Sequence, residues 1–413
     1  MKPKIINDPV YGFISFSDPL LLRIIDHPWF QRLRRIRQMG MAELVYPGAT
    51  HTRFHHSLGA THLMDKALDS LKSKKIPFTD EECLGAKLAI LLHDVGHGPC
   101  SHALEHSIVS GIGHENISRA IMARFNEAFD GQLSTAISIF DHTYPKRYLH
   151  QLVSSQLDMD RMDYLNRDSF YTGVSEGIIG YDRILHMLTV AGQELAVDQR
   201  AVHSTEKFII ARRLMYWQVY LHKAVLGCEQ LLINILRRAR ELAMEHGRRL
   251  WATPALSHFL HQDITAADFA ADPIHLDTFC QLDDSDVLSS IKVWQDDEDA
   301  TLSLLCRMMV RRRLYKVILS RDPLDGAEER MRHAVQTELG IPEDQLHYFV
   351  AVGQTSNHTY NRADEHILIC GKDGAVRDLS DVDDPLVSQT LALPVVKNYI
   401  CYPPMHLREA LGA

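Results

Sequence analysis

The stretch that most constrains this chain runs from Leu88 to His102, LAILLHDVGHGPCSH, where an apolar run stops at His93-Asp94. The Leu, Ala and Ile positions ask for a buried helix. An imidazole followed by a carboxylate at its end then needs partners, because burying unpaired polar groups is costly. A neutral imidazole beside a carboxylate is metal-ligand chemistry. Gly96, Gly98 and Pro99 stop the helix and open a loop that carries His97 and His102 to the same mouth. Eleven of the 24 histidines lie between His51 and His150, an excess that points to a site and not to general composition.

A chain of 413 residues, 46% hydrophobic, can bury one large core and a smaller appended region. No apolar run approaches the roughly 18 residues of a membrane span, so no membrane partner is expected. The start, MKPKIINDPVYGF, lacks a charged-then-apolar signal pattern, and a cytoplasmic location is expected. Cysteines 83, 100, 228, 280, 306, 370 and 401 are scattered and form no CxxC, which reads as reduced thiols. A net charge of −9 disfavours nucleic acid as a partner. The one dense basic segment, FQRLRRIRQMG, holds Arg32, Arg34, Arg35 and Arg37. It reads either as a solvated helix face or as a surface for a small polyanion such as a nucleotide.

Helical spacing after Asp18-Pro19 predicts a helix over 18–40, followed by a turn at Tyr46-Pro47-Gly48. The next helix carries His56 near its start, and others are expected over 80–94, 114–128 and 148–168. Residues 203–247 read as one or two long helices. The acidic DDEDA run (296–300) suggests an exposed turn or cap, and ATLSLLCRMMVRRRLYKVI resumes helical spacing. Beyond residue 345, YFVAVG, EHILICG and NYICYP are strand-like, with a hairpin turn at Gly371 to Gly374. The fold class expected is mainly α, with a core over 1–245 and a small C-terminal helical and α+β region over 246–413.

His56, His93, Asp94 and Asp160 come from three predicted helices and form the candidate metal site. Two nitrogens and two carboxylates suit Mn, Fe, Ni, Zn or Co, with Mg conceivable at a second position. His56 alone could cap a helix, and Asp160 alone could be a surface acid; the His93-Asp94 pair is harder to dismiss. In QLDMDRMDYLNRD, Asp160, Tyr164 and Asp168 recur every fourth residue on one face, with Arg161 beside them. That face offers a charge clamp for phosphate and hydrogen-bonding groups for a sugar, or else is an ordinary charged helix face. His102 and Glu105 stand one turn apart, so the carboxylate can orient the imidazole as a general acid; His114-Glu115 is a second such pair. Helix capping is the competing account of these histidines.

The order H…HD…D at His56, His93-Asp94 and Asp160 resembles the HD-domain metal-dependent phosphohydrolases. The flanking text NDPVYGFI, HPWFQRLRRIRQMG, YPGATHTRFHHSLG, HDVGHGPCSH and LDMDRMDYLNRD resembles the deoxynucleoside-triphosphate triphosphohydrolase branch of that family. The likeness covers roughly residues 4–230. It implies an HD helical bundle with metal ligands at His56, His93, Asp94 and Asp160. Phosphate contacts are implied for Arg53, His97, Arg161, Tyr164 and Arg212, with His102 also reaching the phosphates. Sugar contacts are implied for Gln38, Met39, Asp168 and Tyr220. His102, supported by Glu105 and neighboured by His114, would protonate the leaving 5′ oxygen.

The resemblance further implies a dNTP substrate, a GTP or dGTP activator and a homo-oligomer, dimer or tetramer. Lys4, Asp26, Gln31 and Arg34 match the family's guanine-nucleotide pocket, and Arg183, Arg312 and Lys316 align loosely with a second phosphate site. The chain departs from the mammalian pattern in lacking a SAM domain and in carrying Met39 where that enzyme has leucine. These departures leave base preference and activation mode open. Another HD activity (on nucleoside monophosphates, alarmones or cyclic nucleotides) and a non-catalytic nucleotide sensor remain the alternatives.

Overall fold

A computed structural model describes residues 3–101, 111–357, 360, 366–382 and 395–405. The chain opens with a hairpin absent from the sequence reading, β1 (Lys4–Asp8) and β2 (Gly12–Phe16). Asp8 Oδ1 accepts from the Val10 and Tyr11 N–H groups, an Asx turn that reverses the chain.

The predicted 18–40 helix is broken. α1 (Pro19–Ile25) is capped by Asp18, a single turn over Pro28–Gln31 is capped by His27, and a 3-10 turn covers Arg32–Arg35. Pro28 cannot extend α1, because its ring meets the carbonyl one turn back and it has no N–H to donate. Residues 36–38 then run beside the entry of the next helix, with Gln38 N bonded to His51 O at 3.0 Å and Arg53 N to Ile36 O at 2.9 Å.

α2 (Arg53–Ser73) and α3 (Asp80–Leu92) form as expected. Thr79 and Glu82 cap α3 reciprocally at 3.1 and 2.8 Å, and its Leu88 to Leu92 run is wholly buried. α4 (His114–Ala128) starts where predicted, and the loop after α3 lies against it. A Cβ on Gly96 would stand 2.2 Å from His114 O, so only glycine permits that approach. Ser118 Oγ locks the contact, accepting from Gly96 N at 2.9 Å and donating to His93 O at 2.7 Å.

The predicted 148–168 helix is two, α5 (Arg147–Val153) and α6 (Met159–Thr172). Asp158 restarts the helix by accepting from Arg161 N at 2.7 Å. After a hairpin of β3 (Leu188–Ala191) and β4 (Glu194–Asp198), α7 (Val202–Met215) widens into a π turn over Tyr216–Tyr220 and continues as α8 (Lys223–Met244).

Beyond α8 come α9 (Asp284–Trp294) and α10 (Ala300–Val310), the latter capped by Asp299 of the acidic run. The helical spacing after Ala300 ends at Val310, and its last residues lie in β5 (Lys316–Ser320). The remaining strands are β6 (Ala351–Asn357), β7 (Leu368–Cys370), β8 (Val376–Asp378) and β9 (Val395–Tyr402). They divide between two sheets, an antiparallel β5-β9-β6 sheet and a β3-β4-β7-β8 sheet in which β7 runs parallel to β4. Gly371 N bonds Ala375 O at 2.8 Å in the expected hairpin.

The fold is mainly α with a small C-terminal α+β region, and one buried apolar cluster runs from Ile14 to Cys401. Among the described residues no helix is long and apolar enough to cross a membrane.

Candidate active site

Three helices deliver four donors to one point. α2 supplies His56, the end of α3 supplies His93 and Asp94, and the first turn of α6 supplies Asp160. His56 Nδ1 lies 2.8 Å from Asp163 Oδ2, and His93 Nδ1 lies 2.7 Å from Ile90 O. Both partners are acceptors, so each Nδ1 bears a proton and Nε2 is left as the atom that can face an ion. Those two Nε2 atoms are 3.3 Å apart, and Asp160 Oδ1 lies 3.0 Å from the first and 3.4 Å from the second. Asp94 closes the group, 3.4 Å from His93 Nε2 and 3.7 Å from His56 Nε2.

Lone pairs aimed at one another repel unless positive charge sits between them. Ligand bonds of about 2.1 Å place neighbouring donors about 3.0 Å apart at a right angle and about 3.4 Å at the tetrahedral angle. The observed spacings of His56, His93 and Asp160 therefore suit a divalent ion, while Asp94 stands beside them and forms a second possible ligand set with His97 and His114. The surrounding carboxylates favour positive charge at this point, whether a proton or an ion carries it. Burial resists charging His56, but Asp160 and Asp163 overcome it and lift the ring to about 10. Burial likewise opposes charge on His93, where Asp94 and Asp160 raise it. Asp160 is held far below the usual carboxylate range by the two imidazoles despite its burial.

A cavity of about 440 Å³ opens beside this cluster. On one side buried Arg53 pairs with Asp94 and donates from Nε to Ser101 Oγ at 3.1 Å. His97 Nε2 lies 3.4 Å from Asp94 Oδ1, and its ring stacks on His114 at 3.8 Å. Burial, reinforced by Arg53, pushes His97 well below its ordinary range, so it stays neutral. On the other side Tyr220 donates to Asp168 Oδ2 at 2.7 Å, while Asp168 Oδ1 meets His51 Nε2 at 2.7 Å. Burial raises the Tyr164 and Tyr220 phenols, keeping both as proton donors. Gln38 and Met39 also line the cavity, and the buried Gln38 Oε1 has no hydrogen-bond partner among the described residues.

The HD domain family matches residues 53–168, and the HD-associated region matches 179–252. The crystal structure of a phosphohydrolase from Bacteroides thetaiotaomicron superposes with a TM-score of 0.93 at 47% identity, covering 98% of this chain and 100% of that one. The uncharacterised YwfO protein of Bacillus subtilis is 35% identical over 77% of this chain and 72% of its own length. This chain belongs to the HD-domain phosphohydrolases.

A third relative of this HD phosphohydrolase is the deoxynucleoside triphosphate triphosphohydrolase SAMHD1 homologue of Dictyostelium discoideum, 29% identical over 57% of the chain. The chain spans about half the length of that relative, 49%. Of the predicted site residues, Gln38, Met39, Arg53, Asp94, His97, His114, Asp160, Tyr164, Asp168 and Tyr220 all line the cavity. His102 and Glu105 lie outside the described residues.

Two predicted phosphate ligands stand off the cavity lining. Arg161 Nε bonds Asp158 Oδ2 at 3.1 Å, because the carboxylate that caps α6 also draws in the guanidinium one turn on. The Arg212 guanidinium lies 5.9 Å from the Tyr216 ring, and its buried Nε has no partner among the described residues. Lys4, Asp26, Gln31 and Arg34 lie off the cavity too. Lys4 pairs with Asp26 at 2.6 Å, and Gln31 accepts from Arg34 Nε at 2.7 Å. Arg183 donates to Arg200 O and Arg312 to Leu44 O, while Lys316 opens β5 exposed.

The sequence reading missed His51, Ser101, Asp163 and Arg167 in this HD phosphohydrolase. Asp163 holds His56, and Arg167 holds Asp163 at 2.8 and 2.9 Å while pairing with Asp8 at 2.8 Å. The signal was available, since Asp163 and Arg167 stand four apart on a helix already singled out.

Proposed function

We propose that this HD phosphohydrolase cleaves deoxynucleoside triphosphates to deoxynucleoside and inorganic triphosphate, using a divalent ion held by His56, His93, Asp94 and Asp160. What carries the reading is one coincidence: a cluster of lone pairs that needs a cation opens into a cavity with phosphate-type donors on one wall and sugar-type partners on the other. A divalent ion supplies charge neutralisation and an activated water at the phosphoryl group.

The protein's own groups do the rest. Arg53 holds phosphate oxygens through its planar fork. Neutral His97, together with His114 and Tyr164, donates hydrogen bonds to the same chain of phosphates. Gln38 Oε1, Asp168 and Tyr220 take the sugar hydroxyl, with Met39 beneath the ring. His102, with Glu105 as the partner the sequence suggests, would give its proton to the leaving 5′ oxygen. Arg161 and Arg212 join the phosphates by leaving Asp158 and Tyr216. A guanine nucleotide at Lys4, Asp26, Gln31 and Arg34, acting within an oligomer, is part of the same proposal.

One observation favours a shorter phosphate chain. Among the described lining residues Arg53 is the sole permanent cation, and Asp94 already pairs with it. Product analysis separates the readings. Each dNTP, with and without GTP, is incubated with Mn, Mg, Fe or Co and resolved by HPLC. Deoxynucleoside and inorganic triphosphate in equal amounts are expected. Turnover confined to monophosphates, with no triphosphate released, would contradict the proposal.

A further inference from the structure

Asp284 lies beyond both family-matched segments, yet its carboxylate bonds the backbone of both loops that floor the cavity. Oδ1 accepts from Cys100 N at 2.8 Å and Oδ2 accepts from Arg37 N at 3.0 Å. One loop continues into Gln38, Met39 and Gly40, and the other carries Cys100 and Ser101; all five line the cavity.

These loops are not self-supporting. Cys100 and Ser101 both adopt left-handed backbone, at φ +56° and +53°, which side-chain-bearing residues enter only when their surroundings hold them there. Gly40 is also left-handed at φ +53°, and a Cβ there would lie 3.0 Å from Cys100 O, so the two loops meet at this point. Ser101 Oγ adds a strut, donating to Arg37 O at 2.8 Å and accepting from Arg53 Nε at 3.1 Å.

Asp284 is itself anchored. It is the first residue of α9, whose cap Asp283 accepts from Ser285 N at 2.9 Å and pairs with Arg35. Fully buried Arg32 ties the preceding turn to the loop after α3, donating to Leu282 O at 3.1 Å and to Val95 O at 2.7 Å. Two backbone donors need two acceptor oxygens at one place, which a carboxylate supplies and an apolar filler does not.

We propose that Asp284 is a positioning residue, whose carboxylate sets the spacing of the two loops and so places Gln38, Met39 and Arg53 against the substrate. It rests on reading this cavity as the hydrolytic site. The test is Asp284→Asn in the full chain, which keeps the shape but turns an NH₂ towards one of the two N–H groups. Amide exchange should quicken in the peptides containing Arg37 and Cys100, by about tenfold or more. kcat/KM should fall about 10–100-fold, as a small misplacement of binding groups does. Bound ion should match the parent, and the variant should stay folded, its melting temperature down by only a few degrees. Ser101→Ala, which leaves Asp284 in place, should reproduce a smaller part of the same kinetic loss.

Parental exchange and kinetics in Asp284→Asn would overturn the proposal. So would a rate loss that only tracks loss of ion or of folded protein. If the parent turns over no dNTP, the functional reading fails by itself, while exchange at the two amides still decides whether Asp284 clamps the loops.

Discussion

Two polar clusters in this protein behave in opposite ways. His56, His93, Asp94 and Asp160 are scattered over three helices, yet their donor atoms gather within 3.0 to 3.7 Å of a neighbour. Arg32, Arg34, Arg35 and Arg37 are adjacent in sequence, yet each goes somewhere else. Arg32 enters the core to bind carbonyls, Arg34 lies over the Phe54 ring at 3.7 Å, Arg35 pairs with Asp283, and Arg37 pairs with Glu43. Density of charge along a chain says little about convergence in space. Polar residues placed where apolar helices must bury them say much more, because burial forces them to find one another.

The largest effect belongs to His93. His93→Ala should abolish bound ion and hydrolysis while circular dichroism and melting stay near the parent; an unimpaired rate in metal-stripped buffer would show that the cluster is not the site. Among the arginines the largest effect belongs to Arg32. Arg32→Ala should cost about 3 kcal/mol in denaturant unfolding, since it strands buried carbonyls, with little change in ion affinity. Asp163→Asn sharpens the cluster side: loss of the acceptor behind His56 should weaken ion binding by about 10–100-fold, read by competition with a chelating dye. The smallest effect is at Arg34. Arg34→Ala should leave stability within about 1 kcal/mol of the parent, and lower only activation by GTP if that surface binds nucleotide.

Much of this was legible in the chain. α2, α3 and α4 form over the expected stretches, and His56 and the His93-Asp94 pair sit on or at the end of the first two as expected. The cavity wall of Asp160, Tyr164 and Asp168 followed from helical periodicity alone. What stayed hidden depended on tertiary partners. The break before α6 is the exception: its mark is local, Asp158 capping Arg161 N three residues on, but the spacing over 148–168 read as unbroken. Pro28 and the pairing of residues 36–38 with the entry of α2 turned an apparent long helix into the loop that presents Gln38. Asp284 was illegible for the same reason, since its two N–H partners lie far away in sequence. The C-terminal strands were visible as strands, but not the division that sends β7 and β8 to the β3–β4 hairpin.

We propose that His56, His93, Asp94 and Asp160 together hold one divalent ion on which hydrolysis depends. Elemental analysis of the purified protein, beside an isosteric Asp160→Asn variant, tests it most directly. One ion per chain in the parent, with ion and turnover lost together in a folded variant, is the predicted result. A variant that keeps parental turnover while lacking the ion would contradict it.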